Sequence, residues 1–213
     1  MAKSITKTVM DLLPGVLRTK IRHYRRNQIV EEWKKKGAPI PPPHQVKQLA
    51  IEEYAAKYNS NILVETGTYL GDMIYAQLAN FNKIYSIELS KELWVNAQKR
   101  FLQASNVELL NGDSAHILYS LVPGFKEPAV FWLDGHYSGG ITAKGDKECP
   151  VVEEIDAILG ESKFNHIILI DDARMFVGAH DYPDLITLEK YVQQKNPNYK
   201  MEVKDDIIRI VPK

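Results

Sequence analysis

Three aspartates stand where they could act together. Asp134 follows the apolar run Phe131-Trp132-Leu133, and Asp171-Asp172 follow Ile167-Ile168-Leu169-Ile170. Carboxylates packed at one place repel one another and raise each other's pKa unless a cation joins them. A hard divalent ion such as Mg2+ accepts oxygen ligands of this type, which makes Asp134, Asp171 and Asp172 candidate metal ligands. The metal-free alternative has Asp171 or Asp172 capping a loop and Asp134 accepting a hydrogen bond in an active site. His136, two residues beyond Asp134, is a candidate proton acceptor, because an imidazole pKa of about 6.5 suits transfer at neutral pH. A supporting or metal-ligating role for His136 is equally open.

A second group suits a nucleotide-like ligand. Val64-Glu65-Thr66-Gly67-Thr68-Tyr69-Leu70-Gly71 leads from a β-branched run into a helical pattern. Glycine there permits a tight turn and close approach of the backbone, and the helix that follows offers unpaired N–H groups. Glu88, in Ser86-Ile87-Glu88-Leu89-Ser90, lies 21 residues after Gly67. A carboxylate at that distance can accept both ribose hydroxyl hydrogen bonds, or it can serve as an acid at a helix start capped by Ser90. Asp113, in Asn111-Gly112-Asp113-Ser114, either accepts from an adenine amino group or caps a helix. A dinucleotide fingerprint is missing: positions 67, 69 and 72 read Gly, Tyr and Asp where Gly-x-Gly-x-x-Gly is needed. That disfavours a nicotinamide-dependent oxidoreductase.

The elements that must position these residues follow from periodicity. From residue 44 onward, helical patterns alternate with short apolar or β-branched runs five times, the pattern of a parallel sheet with helices on both faces. Helices are expected at 44–58, 71–80, 90–104, 113–121, 150–160 and 182–194. Strands are expected at 61–66, 83–88, 106–110, 128–133 and 165–170. Residues 200–204 and 207–211, separated by Asp205-Asp206, read as an antiparallel hairpin. The expectation is an α/β fold with a seven-stranded, mostly parallel sheet, its ligands beyond the carboxyl ends of the strands. Ser138 to Pro150, with three glycines, Lys144, Asp146 and Lys147, is long for a strand-to-helix connection and suits a lid or substrate loop. Lys144 reads as a solvated lysine or, with a depressed pKa, a base. Arg174 either holds an anionic group or pairs with a neighbouring acid.

Composition bounds the rest. At 213 residues, with 45% hydrophobic and 25% charged residues, the chain fits one globular core. It has no long apolar run, no secretory leader pattern and a single Cys149, so the expected location is cytoplasmic. Zero net charge conceals an asymmetry. Residues 1–50 carry eleven Lys/Arg against three Asp/Glu, leaving sixteen against twenty-four in the remainder. Residues 1–43 therefore form a basic helical extension, interrupted near Pro14-Gly15 and followed by a stiff proline-rich linker from Pro39 to Pro43. Such an extension can dock on the acidic body of its own chain, form a homodimer or touch an anionic membrane; nucleic acid is the weaker partner. A transit peptide is opposed by Asp11, Glu31 and Glu32.

The order of VETGTYLG, SIELS and NGDS, with a hairpin after the fifth strand, resembles class I S-adenosylmethionine-dependent methyltransferases over residues 44–213. The resemblance implies a Rossmann-like domain with Glu65 near the methionine amino group. It further implies Gly67, Thr68 and Gly71 at the cofactor, Glu88 on ribose, and Asp113 with Ser114 at adenine. Tyr69 departs from the family, which commonly has a further glycine there. The acids after the fourth and fifth strands resemble those of metal-dependent O-methyltransferases of the catechol type and of cephalosporin-hydroxylase-like proteins. That likeness implies transfer to the oxygen of a hydroxylated small molecule such as a sugar, a polyketide or another metabolite, with Mg2+ held by Asp134, Asp171 and Asp172. A noncatalytic binding module on the same fold is the alternative.

Overall fold

A computed structural model of the chain describes residues 15–135, 149–160 and 163–213. Helices α1 (Gly15–Lys35) and α2 (His44–Tyr58) precede the first strand. Then come β1 (Ile62–Thr66), α3 (Asp72–Gln77), β2 (Lys83–Glu88), α4 (Lys91–Arg100), β3 (Val107–Asn111) and α5 (Ser114–Leu121). The second half holds β4 (Ala129–Leu133), α6 (Val151–Gly160), β5 (Ile167–Ile170), α7 (Leu185–Lys195), β6 (Tyr199–Lys204) and β7 (Ile207–Pro212). The sheet order is β3-β2-β1-β4-β5-β7-β6, parallel through the first five and antiparallel at the β6–β7 hairpin. The α/β expectation holds, including the hairpin.

Strand alternation assigns each side chain to one of two apolar layers. Val64, Phe131, Leu133, Ile168 and Ile170 pack with Leu118, Ile155 and Val192 of α5, α6 and α7. Leu63, Val130, Trp132, Ile167 and Leu169 pack with Ile51, Met73 and Ala97 of α2, α3 and α4. His166 is buried just before β5, where its Nδ1 accepts from the Ala129 amide at 3.0 Å. Burial lowers its pKa to about 4, so the ring is neutral and belongs to the scaffold.

The described part of the N-terminal extension, from α1 to the proline run, packs on α2 of its own chain. The α1 helix is continuous from Gly15 to Lys35; residues 1–14 lie outside the described residues. Val30 and Trp33 pack on Val46 of α2, and the Arg26 guanidinium grips the Glu52 carboxylate of α2 at both oxygens. Nor is the proline run a detached spacer. The Trp33 indole donates to the Pro39 carbonyl at 2.8 Å and Pro42 is buried. Trp33 supplies both apolar contact and a hydrogen bond, a combination that composition alone does not show. No helix among the described residues is long and apolar enough to cross a membrane.

Replacing Trp33 with alanine is expected to cost about 3 kcal/mol, since it empties the larger of the two buried side chains that anchor α1 and frees the Pro39 carbonyl. A denaturant midpoint unchanged from wild type, with α1 equally resistant to limited proteolysis, would contradict this role.

Candidate active site

The ends of β1, β4 and β5 are level, and this brings the candidate residues together. Thr66 pairs with Ile87 and Leu133, and Leu133 pairs with Ile170. The next residues continue the ladder: the Asp134 amide donates to Thr66 O at 3.1 Å, and the Asp171 amide to Leu133 O at 3.0 Å. Gly67, Asp134 and Asp171 therefore leave three neighbouring strands at one height. Alternation along β5 points Asp171 to the face that α2 covers, the face of Ile167 and Leu169.

Gly67 has φ +81°, and a Cβ there would lie 2.3 Å from the Asp134 carbonyl oxygen. Its first requirement is thus backbone contact between the β1 and β4 turns. Gly71, at φ +76°, precedes α3, and a Cβ would strike the Phe101 ring at 2.5 Å. Tyr69 adopts φ +49° with its side chain 47% exposed. The position where the resembling family has glycine keeps a glycine-like backbone here, occupied by a tyrosine.

The loop is tied by carboxylates. Glu88 Oε2 accepts from the Tyr69 amide and Glu88 Oε1 from the Ser90 amide, both at 2.8 Å. Ser90 also caps α4, so the capping arrangement is present. Each Glu88 oxygen keeps a further lone pair. Asp113 likewise caps α5, accepting from the Ala115 amide at 2.8 Å, beside buried Ser114.

Glu65 is a buried acid, with 2% of its surface exposed. Thr68 Oγ1 and Ser86 Oγ lie 2.6 Å apart, and Ser86 Oγ donates to Glu65 Oε2 at 2.5 Å, a relay of two hydroxyls into one carboxyl. Burial lifts the Glu65 pKa to about 8; the Ser86 hydrogen bond opposes the rise, and the charges of Asp134 and Glu88 add to it. A cation at this point would relieve all three acids.

At the other end of the row the acids already have cations. Lys47, from the first turns of α2, places its ammonium on Asp171 Oδ2 and 3.5 Å from Asp172 Oδ1. Asp171 Oδ1 accepts from the Asp172 amide at 2.8 Å, so both Asp171 oxygens are engaged. Burial works to lower the Lys47 pKa, but Asp171, with Asp172 and Asp134, overrides it and holds the ammonium above the usual lysine value. Burial holds the Asp171 pKa above the ordinary carboxylate value; Lys47 pulls it back and the Asp172 charge adds to the rise. Asp172, at φ +55°, also accepts from Arg174 at 2.8 Å. Arg174 in turn grips Asp206, whose carboxylate accepts the Arg174 amide at 2.8 Å. Arg174 is thus a partner of acids.

Among the described residues, no group of three or more His, Cys, Asp or Glu is arranged to hold a metal. His136 and the Ser138–Pro150 loop as far as Glu148, with Lys144, lie outside the described residues. Sequence spacing did not single out Lys47, since nothing marks which helix will cross β5. Ser86 was legible only as a neighbour of Glu88, although its strand register opposite Glu65 is what engages it.

No protein-family model matches the chain, and no curated protein matches it in sequence. Solved structures do. The SAH-bound methyltransferase PaMTH1 of Podospora anserina is similar over 95% of this chain and 98% of its own, at 17% identity and TM-score 0.58. The O-methyltransferase TomG of Streptomyces achromogenes, solved with SAM, covers 88% of each chain at 14% identity and TM-score 0.56. The O-methyltransferase of Bacillus cereus, solved with SAH, covers 88% of this chain and 90% of its own at 13% identity and TM-score 0.58. The fold is that of class I S-adenosylmethionine-dependent methyltransferases.

Two outcomes are expected. Glu65 binds its proton more tightly folded than unfolded, so it withdraws stability from the ligand-free protein as pH rises from about 4.5 to about 8, and no more beyond. Melting temperatures of Glu65→Gln and wild type should diverge in favour of the variant across that window and run parallel above it. A constant gap from pH 5 to 9 would refute the buried protonated carboxyl. Gly67→Ala should lower stability by roughly 2–4 kcal/mol through strain and the clash with Asp134, measured by urea denaturation.

Proposed function

We propose that this chain is an S-adenosylmethionine-dependent methyltransferase acting on an oxygen of a small hydroxylated molecule. The observation that carries the reading is Glu65, a buried carboxyl raised to about 8 and flanked by Glu88 and Asp134, at the mouth of a methyltransferase fold. Such a site lacks one positive charge, and the ammonium of a methionine moiety supplies it. The cofactor, when bound, provides an electrophilic methyl on sulfonium.

The chain's own residues divide the remaining work. Gly67, Thr68 and Gly71 shape the turn over which the cofactor lies. Glu88 retains lone pairs for ribose hydroxyls while its other contacts fix the Tyr69 and Ser90 amides. Asp113 and Ser114 border the adenine side. Holding nucleophile and methyl in line is the main source of rate, because alignment removes most of the entropic part of the barrier. Asp134, adjacent to Gly67 and Asp171, is the acid best placed to orient the acceptor hydroxyl, and His136 takes its proton. The donor set at Asp171 and Asp172 is matched to an ammonium and a guanidinium as it stands. A divalent ion held by Asp134, Asp171 and Asp172 requires Lys47 to withdraw from Asp171.

A cytoplasmic location belongs to this reading, since the single Cys149 suits a reducing compartment; it is buried, and burial raises its pKa to about 12. The basic α1 helix is assigned to self-association or an anionic membrane surface.

Titration calorimetry with S-adenosylhomocysteine should show one site per chain. Glu88→Ala should weaken it by about tenfold or more, the loss of two charged hydrogen bonds. Asp134→Asn should retain the affinity within about threefold while abolishing methyl transfer to a hydroxylated acceptor pool. Absence of binding to wild type at millimolar ligand refutes the reading and favours the noncatalytic module.

A further inference from the structure

Resting on the methyltransferase reading, we propose that the Lys47 ammonium is the resident cation of the Asp134, Asp171 and Asp172 corner, held where a divalent metal would otherwise sit, so that transfer here proceeds without a metal ion.

Three features carry this. First, the position is built into the scaffold. Lys47 stands between Val46, which anchors α1, and Ala50 and Ile51, which are buried in the layer over β4 and β5. Its side chain is 16% exposed and that of Asp171 is 2% exposed, so the pair is a sealed contact. Second, the donors that a metal needs are already engaged. Asp171 gives one oxygen to Lys47 and the other to the Asp172 amide, while Asp172 Oδ1 is shared between Arg174 at 2.8 Å and Lys47 at 3.5 Å. Each of these oxygens keeps a further lone pair, but a hard divalent ion brought to them would sit against two cations already fixed in place. Third, the cationic charge matches that of one divalent ion, since Lys47 and Arg174 together bring two positive charges to the corner, Arg174 sharing its own between Asp172 and Asp206. A lysine there also differs in kind from a metal: it offers up to three N–H donors and no Lewis acidity, so it positions an acceptor oxygen by hydrogen bonding.

Lys47 is therefore a positioning residue, and removing it should open a metal site that wild type lacks. The test is Mn2+ titration of the full chain followed by electron paramagnetic resonance, with and without saturating S-adenosylhomocysteine, for wild type, Lys47→Arg, Lys47→Met and Lys47→Ala. Wild type and Lys47→Arg should leave the free Mn2+ signal unchanged into the millimolar range. Lys47→Met or Lys47→Ala should take up one Mn2+ per chain, an affinity gain of roughly tenfold or more. Stoichiometric Mn2+ uptake by wild type overturns the proposal. So does failure of both neutral variants to gain Mn2+ while they still bind S-adenosylhomocysteine, which shows them folded. If wild type binds Mn2+-free but never binds S-adenosylhomocysteine, the methyltransferase reading fails and the Mn2+ comparison without ligand still decides the place of Lys47.

Discussion

The contact between the Gly67 backbone and the Asp134 carbonyl is the constraint on which the site depends. Two parallel strands can bring their exit turns this close only if the residue on one side lacks a Cβ and tolerates positive φ. With that satisfied, the β1 turn lies flat across the β4 turn, and Glu65, one register step below, is sealed from water. The perturbed carboxyl, the hydroxyl relay from Thr68 through Ser86 and the tie from Tyr69 to Glu88 all follow from that one approach. A wider separation of the turns would admit solvent and return Glu65 to ordinary acidity.

The strand ends handle their negative charge in three ways. Glu88 is satisfied by two backbone amides, one on each oxygen, at no cost in net charge. Asp171 and Asp172 are answered by Lys47 and Arg174 from within the chain. Glu65, bonded to the Ser86 hydroxyl and raised by burial, is left to protonation or to a ligand. The uneven treatment localises where a cationic group from outside is needed, and it does so beside the helix α3 turn rather than at the β5 corner.

Much of this was legible in sequence because it depends on period. Strand and helix alternation gave the elements to within a few residues, and apolar runs ending in acids marked Asp134, Asp171 and Glu88 at strand ends. The Asp205-Asp206 turn was legible for the same reason, and both residues adopt the positive φ that a two-residue hairpin turn requires. Lys47 was not legible, because its partner is 124 residues away and the pairing exists only once α2 has chosen β5 to cross. The role of Trp33 and the packing of the proline run were hidden likewise, since composition reads as linker what tertiary contact makes into a buttress. Asp113 was left between two roles by its sequence, and the structure shows the capping contact it makes.

The hairpin turn at Asp205-Asp206 holds the segment after β5 by three contacts: the Ala173 amide on Asp206 O, and the Arg174 amide and guanidinium on the Asp206 carboxylate. Those partners are separated by 32 positions of chain. During synthesis, then, β1 through β5 can assemble while the Asp172 corner is still unbraced, and Arg174 meets its second acid only after the hairpin has emerged. The corner matures last, so a nascent chain carries its sheet before it carries a finished site.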